Sequence, residues 1–94
     1  MASRRLLKKQ VHNILSELMN ECMVCNILLP KFDNTQLDTF AGRIIETYDE
    51  FIGRINNQEK TLDRKRVRAY YATFVKDFNT QVFAIIADMN KLEE

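Results

Sequence analysis

Glycine, proline and histidine are scarce in this chain, which has two glycines, one proline, one histidine and no tryptophan in 94 residues. So few glycines and prolines leave room for few turns. A single histidine, with no glycine-rich phosphate loop, no Ser-His-Asp arrangement and no convincing carboxylate pair, argues against an enzyme, because acid-base or nucleophilic chemistry needs positioned partner groups. Two cysteines so close together are expected to be reduced thiols and not a disulfide framework. No apolar run is long enough to span a bilayer, and MASRRLLKKQV has the cations of a secretory signal without the apolar stretch that should follow them. The expectation is a cytoplasmic protein with no membrane insertion, no catalytic residues, no cofactor and no evident small-molecule substrate.

Hydrophobic residues at 46% and charged residues at 29% put the chain among globular domains and outside disordered compositions. Its length suits one domain covering residues 1–94. The net charge of +1 gives no overall excess to attract nucleic acid or a membrane surface.

Three apolar patterns organise the chain, all with helical spacing. Leu7, Val11, Ile14, Leu18, Cys22, Cys25 and Leu29 recur every three or four residues and mark a first helix, with Ser3 as its N-cap. Pro30 disfavours helical geometry at Leu29 and predicts a stop near Leu28. Asp33 followed by Gln36 has the form of a capping box. Leu37, Ala41, Ile44, Tyr48, Phe51 and Ile55 then form the second stripe, which ends at Asn56 and Asn57, residues that tolerate a left-handed cap. Thr61 is the expected third N-cap, and Val67, Tyr71, Phe74, Phe78, Val82, Ile85, Met89 and Leu92 continue the spacing. The predicted helices cover residues 3–28, 34–56 and 62–91, and no alternating strand pattern competes with them.

Short connections between helices of similar length predict an all-α, antiparallel up-down-up three-helix bundle. A break in the third helix near Asn79 and Thr80, giving four helices, is the alternative. Further apolar residues, among them Met19, Met23, Ile27, Tyr70, Val75, Phe83 and Ile86, widen the stripes. A helix that faces two others needs such width, and any surplus is available for a dimer.

The up-down-up order brings the start of helix 1, the end of helix 2 and the start of helix 3 to one pole. That pole would hold Arg4, Arg5, Lys8, Lys9, Arg54, Lys60, Arg64, Lys65, Arg66 and Arg68 against only Glu59 and Asp63. Acids outnumber bases over the rest of the chain, so the molecule should be an electric dipole along its length. Such a pole suits an anionic partner, including nucleic acid held through phosphate contacts without sequence preference. Charge clusters also serve solvation alone.

Three smaller features complete the candidates. Cys22-Met23-Val24-Cys25 has C-x-x-C spacing, but His12 is too distant to help complete a four-ligand metal site, and a mid-helix pair lacks the helix N-terminus that activates redox thiols. Both cysteines are expected to be small buried hydrophobes, with no metal. His12 is read as a surface residue beside Arg5, Lys8 and Lys9. Gly42, Glu46, Asp49 and Gly53 share one strip of helix 2, where each glycine costs about 1 kcal/mol relative to Ala, and the strip is a candidate interface. The functional expectation is a non-catalytic bundle acting through protein-protein interaction, with homodimerisation as one form of it. Its alternative is an anion- or nucleic-acid-phosphate-binding module that uses the basic pole. Fold alone supplies neither function.

Overall fold

The computed structural model describes residues 4–57 and 64–93. They form three helices, α1 (Arg4–Leu28), α2 (Asn34–Asn56) and α3 (Arg64–Glu93), and no strand. The expected N-caps Ser3 and Thr61 lie outside the described residues. Helix α3 runs unbroken through Asn79 and Thr80, and the Thr80 hydroxyl donates to the Lys76 carbonyl at 2.9 Å, so the polar pair is accommodated without a break.

The turn between α1 and α2 follows from its residues. Helix α1 stops at Leu28, two residues before Pro30, whose ring disfavours helical geometry in the residue before it. The Leu29 amide still donates to the Cys25 carbonyl at 2.8 Å, and Phe32 donates back to Leu29 at 3.1 Å. Asp33 has extended backbone geometry, and its carboxylate accepts the Gln36 amide at 3.0 Å, as an N-cap should. Asn26 reaches across the turn to the Phe32 carbonyl at 3.0 Å and to the Asn34 side chain at 3.2 Å. At the far end of α2, Asn57 donates to the Gly53 carbonyl at 3.0 Å with φ −95°, not in the left-handed conformation anticipated for it. Its N–H continues the helical bonding pattern, so no reversal of φ is needed there.

Interior side chains come from all three helices. Leu7, Val11, Leu15, Leu18, Cys22 and Cys25 are buried on α1. On α2 the buried residues are Phe40, Ile44, Thr47, Phe51 and Ile55. Helix α3 contributes Phe74, Phe78, Val82, Ile85 and Met89. The α3 stripe is as predicted in its central part, whereas the α1 and α2 stripes differ at several positions, Ala41 among them being only half-buried. Leu15 takes the interior place assigned to Ile14, which is 41% exposed. Phe40 is buried, while Leu37 and Tyr48 are half-buried at the edge. Phe32, in the turn, is fully buried and stacks on Phe40 with ring centroids 5.4 Å apart. Thr47 is the one buried polar residue among those described, and its hydroxyl donates to the Arg43 carbonyl at 2.8 Å.

Cross-helix contacts fix the directions. Asn26 meets Asn34, and fourteen residues further along each helix in opposite senses His12 meets Tyr48, so α1 and α2 are antiparallel. Arg43 pairs with Asp88 at 2.8 Å and Arg54 with Asp77 at 3.0 Å, eleven residues forward on α2 and eleven back on α3. Helices α1 and α3 are therefore parallel, and the Cys22 thiol lying 3.6 Å from the Met89 sulfur sets their register. The result is a rod of 51 × 19 × 17 Å.

Candidate interaction surfaces

Helix α2 packs against both other helices, and between the parallel α1 and α3 a groove of about 520 Å³ is left open. Ile14, Glu17 and Glu21 wall it on one side, and Val82, Ile86 and Asn90 on the other. Steps of three and four residues along α1 from Ile14, Glu17 and Glu21 reach Leu6, Val24 and Leu28, which continue the same wall beyond the groove. The corresponding line on α3 runs from Arg64 and Arg68 through Val75 and Phe83 to Ile86. Several of these apolar side chains are exposed, most of all Leu28 at 70% and Phe83 at 65%. Sequence spacing detected the surplus but could not say which flank of each helix would stay open. That depends on α2 occupying the other side.

The basic pole is assembled as the parallel arrangement of α1 and α3 requires. Arg4, Arg5, Lys8 and Lys9 lie in the first turns of α1, and Arg64, Lys65, Arg66 and Arg68 in those of α3. Arg5, Lys9, Arg64, Lys65, Arg66 and Arg68 are exposed, whereas Arg4 and Lys8 are half-buried. Arg54 is held in the α2–α3 seam, where its guanidinium pairs with Asp77 and covers the rings of Phe51 and Phe74 at 5.0 and 5.5 Å. Lys60 lies outside the described residues. Tyr70, beside Arg66 and Arg68, is already engaged and so not free to stack on a base. Its hydroxyl donates to the Arg54 carbonyl and its ring meets Tyr71 edge-on at 5.4 Å. Burial raises the Tyr70 pKa, while the positive charges of Arg54 and Arg4 oppose that rise. The register set by Cys22 and Met89 puts Arg4 near the level of Tyr70 and Tyr71, so the two helix starts lie side by side.

Comparison with protein-family models, curated proteins and solved structures finds no match.

The glycine strip of α2 faces away from both seams. Gly42, Glu46, Asp49 and Gly53 each follow by two residues a buried position, Phe40, Ile44, Thr47 and Phe51, which is about 200° around a helix. A Cβ added at either glycine would meet nothing within 4 Å. Neither α1 nor α3 uses the glycines for close approach.

Cys22 and Cys25 are buried free thiols. Burial pushes the Cys22 thiol up to about 11, and Cys25 and Glu21 add to the shift, so it stays protonated at neutral pH. That is the environment of an inert interior cysteine and not of an activated one. Among the described residues, no group of three or more His, Cys, Asp or Glu side chains could hold a metal ion. His12 is exposed and edge-on to Tyr48 at 6.1 Å, beside a second groove of about 400 Å³ that Leu15, Met19, Ile44 and Ile45 help to line. Among the described residues, no helix is long and apolar enough to cross a membrane.

Proposed function

We propose that this chain is a non-catalytic, cytoplasmic helical bundle that acts by binding protein through the open α1–α3 face. The observation that carries the reading is the groove walled by Ile14, Val82 and Ile86, with the exposed Leu6, Val24, Leu28, Val75 and Phe83 on the helical lines that extend its walls. Scattered apolar residues on a surface need no explanation, but a contiguous apolar face rimmed by polar groups is characteristic of an interaction site. Glu17, Glu21 and Asn90 supply that rim. The two buried free thiols are in keeping with a reducing compartment.

A photo-crosslinking amino acid placed at Phe83 tests this in cells. It should give a discrete protein adduct, whereas the same group at exposed Asp49 on the opposite face of the bundle should give none. Absence of an adduct at Phe83 would remove the protein-binding reading.

The second reading assigns the basic pole to an anion, with nucleic acid phosphate as the form considered. The parallel starts of α1 and α3 support it by collecting cations at one end. Replacing Arg64, Lys65, Arg66 and Arg68 together by Gln should then abolish retention on heparin and on single-stranded DNA. Wild-type affinity should fall with salt at a slope near −0.7 per phosphate neutralised. A wild-type protein that binds neither polyanion at low salt leaves the pole as a solvated end.

A further inference from the structure

The two walls of the α1–α3 groove carry opposite charges at different heights. On α1 the acids Glu17 and Glu21 lie beyond the midpoint of the helix, and they make no ion pair among the described residues. On α3 the cations Arg64 and Arg68 stand at the start of the wall. With Cys22 level with Met89, Arg68 lies just below the first turn of α1, roughly 30 Å from the level of Glu21 at about 1.5 Å per residue. The charges on one face are therefore complementary but too far apart to meet within one chain.

We propose that the groove seats a second copy of this chain in antiparallel orientation, related to the first by a two-fold axis, with Arg68 of each copy opposite Glu21 of the other. The inference rests on the reading of this groove as a protein-binding face. A two-fold contact requires a patch complementary to itself, and the register of α1 and α3 supplies one. The rotation that brings Arg68 to the level of Glu21 also brings Val75 to the level of Ile14 and Phe83 to that of Leu6. Apolar side chains then fill the middle while ion pairs close both ends. A parallel second copy would instead set basic pole against basic pole, which like-charge repulsion opposes. Between the levels of Arg68 and Glu21 the wall is roughly 30 Å long and two helices wide, on the scale of the smaller specific interfaces.

Sedimentation equilibrium on the intact chain tests the arrangement, with circular dichroism confirming that each variant is folded. Wild type should dimerise at micromolar concentration. Glu21→Arg and Arg68→Glu should each weaken dimerisation at least tenfold, while the double variant, which restores opposite charges across the axis, should return to within a few-fold of wild type. Phe83→Ser, a change at an exposed position, should also weaken it at least tenfold. A wild type that stays monomeric at high micromolar concentration overturns the proposal, as does a double reversal that dimerises no better than either single change. Crosslinking at Phe83 separates this from the broader reading. A monomeric protein that still captures a different protein there refutes the second copy alone, and a monomer with no adduct refutes both.

Discussion

The α1–α2 pair and the seat of α3 are built from the same kinds of residue and closed in different ways. Between α1 and α2 the connection is short, Asp33 caps the second helix, and Phe32 from the turn is buried against Phe40. Helix α3 is anchored to α2 through aromatic rings, Phe51 standing edge-on to Phe74 and Phe78 at 5.2 and 5.1 Å, and its outer edge is pinned by Arg43–Asp88 and Arg54–Asp77. Towards α1 it leaves a groove. The α1–α2 seam is closed at its turn and keeps a groove of about 400 Å³ beside His12, whereas α3 is fastened to α2 on one flank and faces the larger groove on the other. A helix fastened in that way keeps part of its apolar surface exposed, Val75 and Phe83 above all.

The largest effect that would break this contrast is at the aromatic anchor. Phe51→Ala removes a fully buried ring that holds α2 to α3, and should cost about 3–5 kcal/mol in denaturant unfolding through lost contacts and the cavity left behind. Phe83→Ala deletes the same ring from the open flank, and in the monomer should change stability by no more than about 0.5 kcal/mol. Equal losses from the two variants would mean that Phe83, like Phe51, faces the interior.

Cys22 reports on the α1–α3 contact through pH. Its folded pKa is raised from the ordinary thiol value of 9.0 to about 11, so folding favours the protonated thiol. That stabilisation is complete below about 9 and is lost as the pH rises through about 11. Other groups titrate in the same range, so the measurement is a difference. Between those values wild type should lose more stability than Cys22→Ala, and parallel losses would show Cys22 to be open to water.

The outer face of α2 tests a region that belongs to neither seam. Gly42→Ala and Gly53→Ala should each stabilise the fold by roughly 0.5–1 kcal/mol, because a methyl group fits without contact and the unfolded chain loses freedom. Self-association should be unchanged, since the strip faces away from the groove. The smallest effect is expected at the outer edge of the α2–α3 seam, where Asp77→Asn should cost at most about 1 kcal/mol because the pair with Arg54 is half-exposed. Asp88 is held below the ordinary carboxylate range by its hydrogen bond from Arg43 and the nearby Lys91. Its contribution is present at neutral pH and fades as acid protonates it through that lowered pKa.

Helix spacing and stop signals made most of the architecture readable in advance. Pro30 and Asp33 bracket the first turn as predicted, and the stripe from Phe74 to Met89 is the α3 interior. What spacing could not decide was phase where two adjacent apolar residues fit the same period. Ile14 and Leu15 are such a pair, and only the position of α2, on the side of Leu15, shows that Leu15 and not Ile14 is covered. Phe32 was unreadable for another reason, since no helical period extends into a turn. The groove was foreshadowed by apolar surplus, but the height of Glu21 relative to Arg68 depends on a register between helices that are distant in sequence.

That distance also orders events in time. Cys22 and Met89 are 67 residues apart, so the α1–α3 groove cannot exist until α3 has been made and docked on α2. The α1–α2 contacts span far fewer residues and close at smaller loop-entropy cost. A chain still being synthesised can thus shield the interior side of α1 with α2 before it has any complete groove to offer.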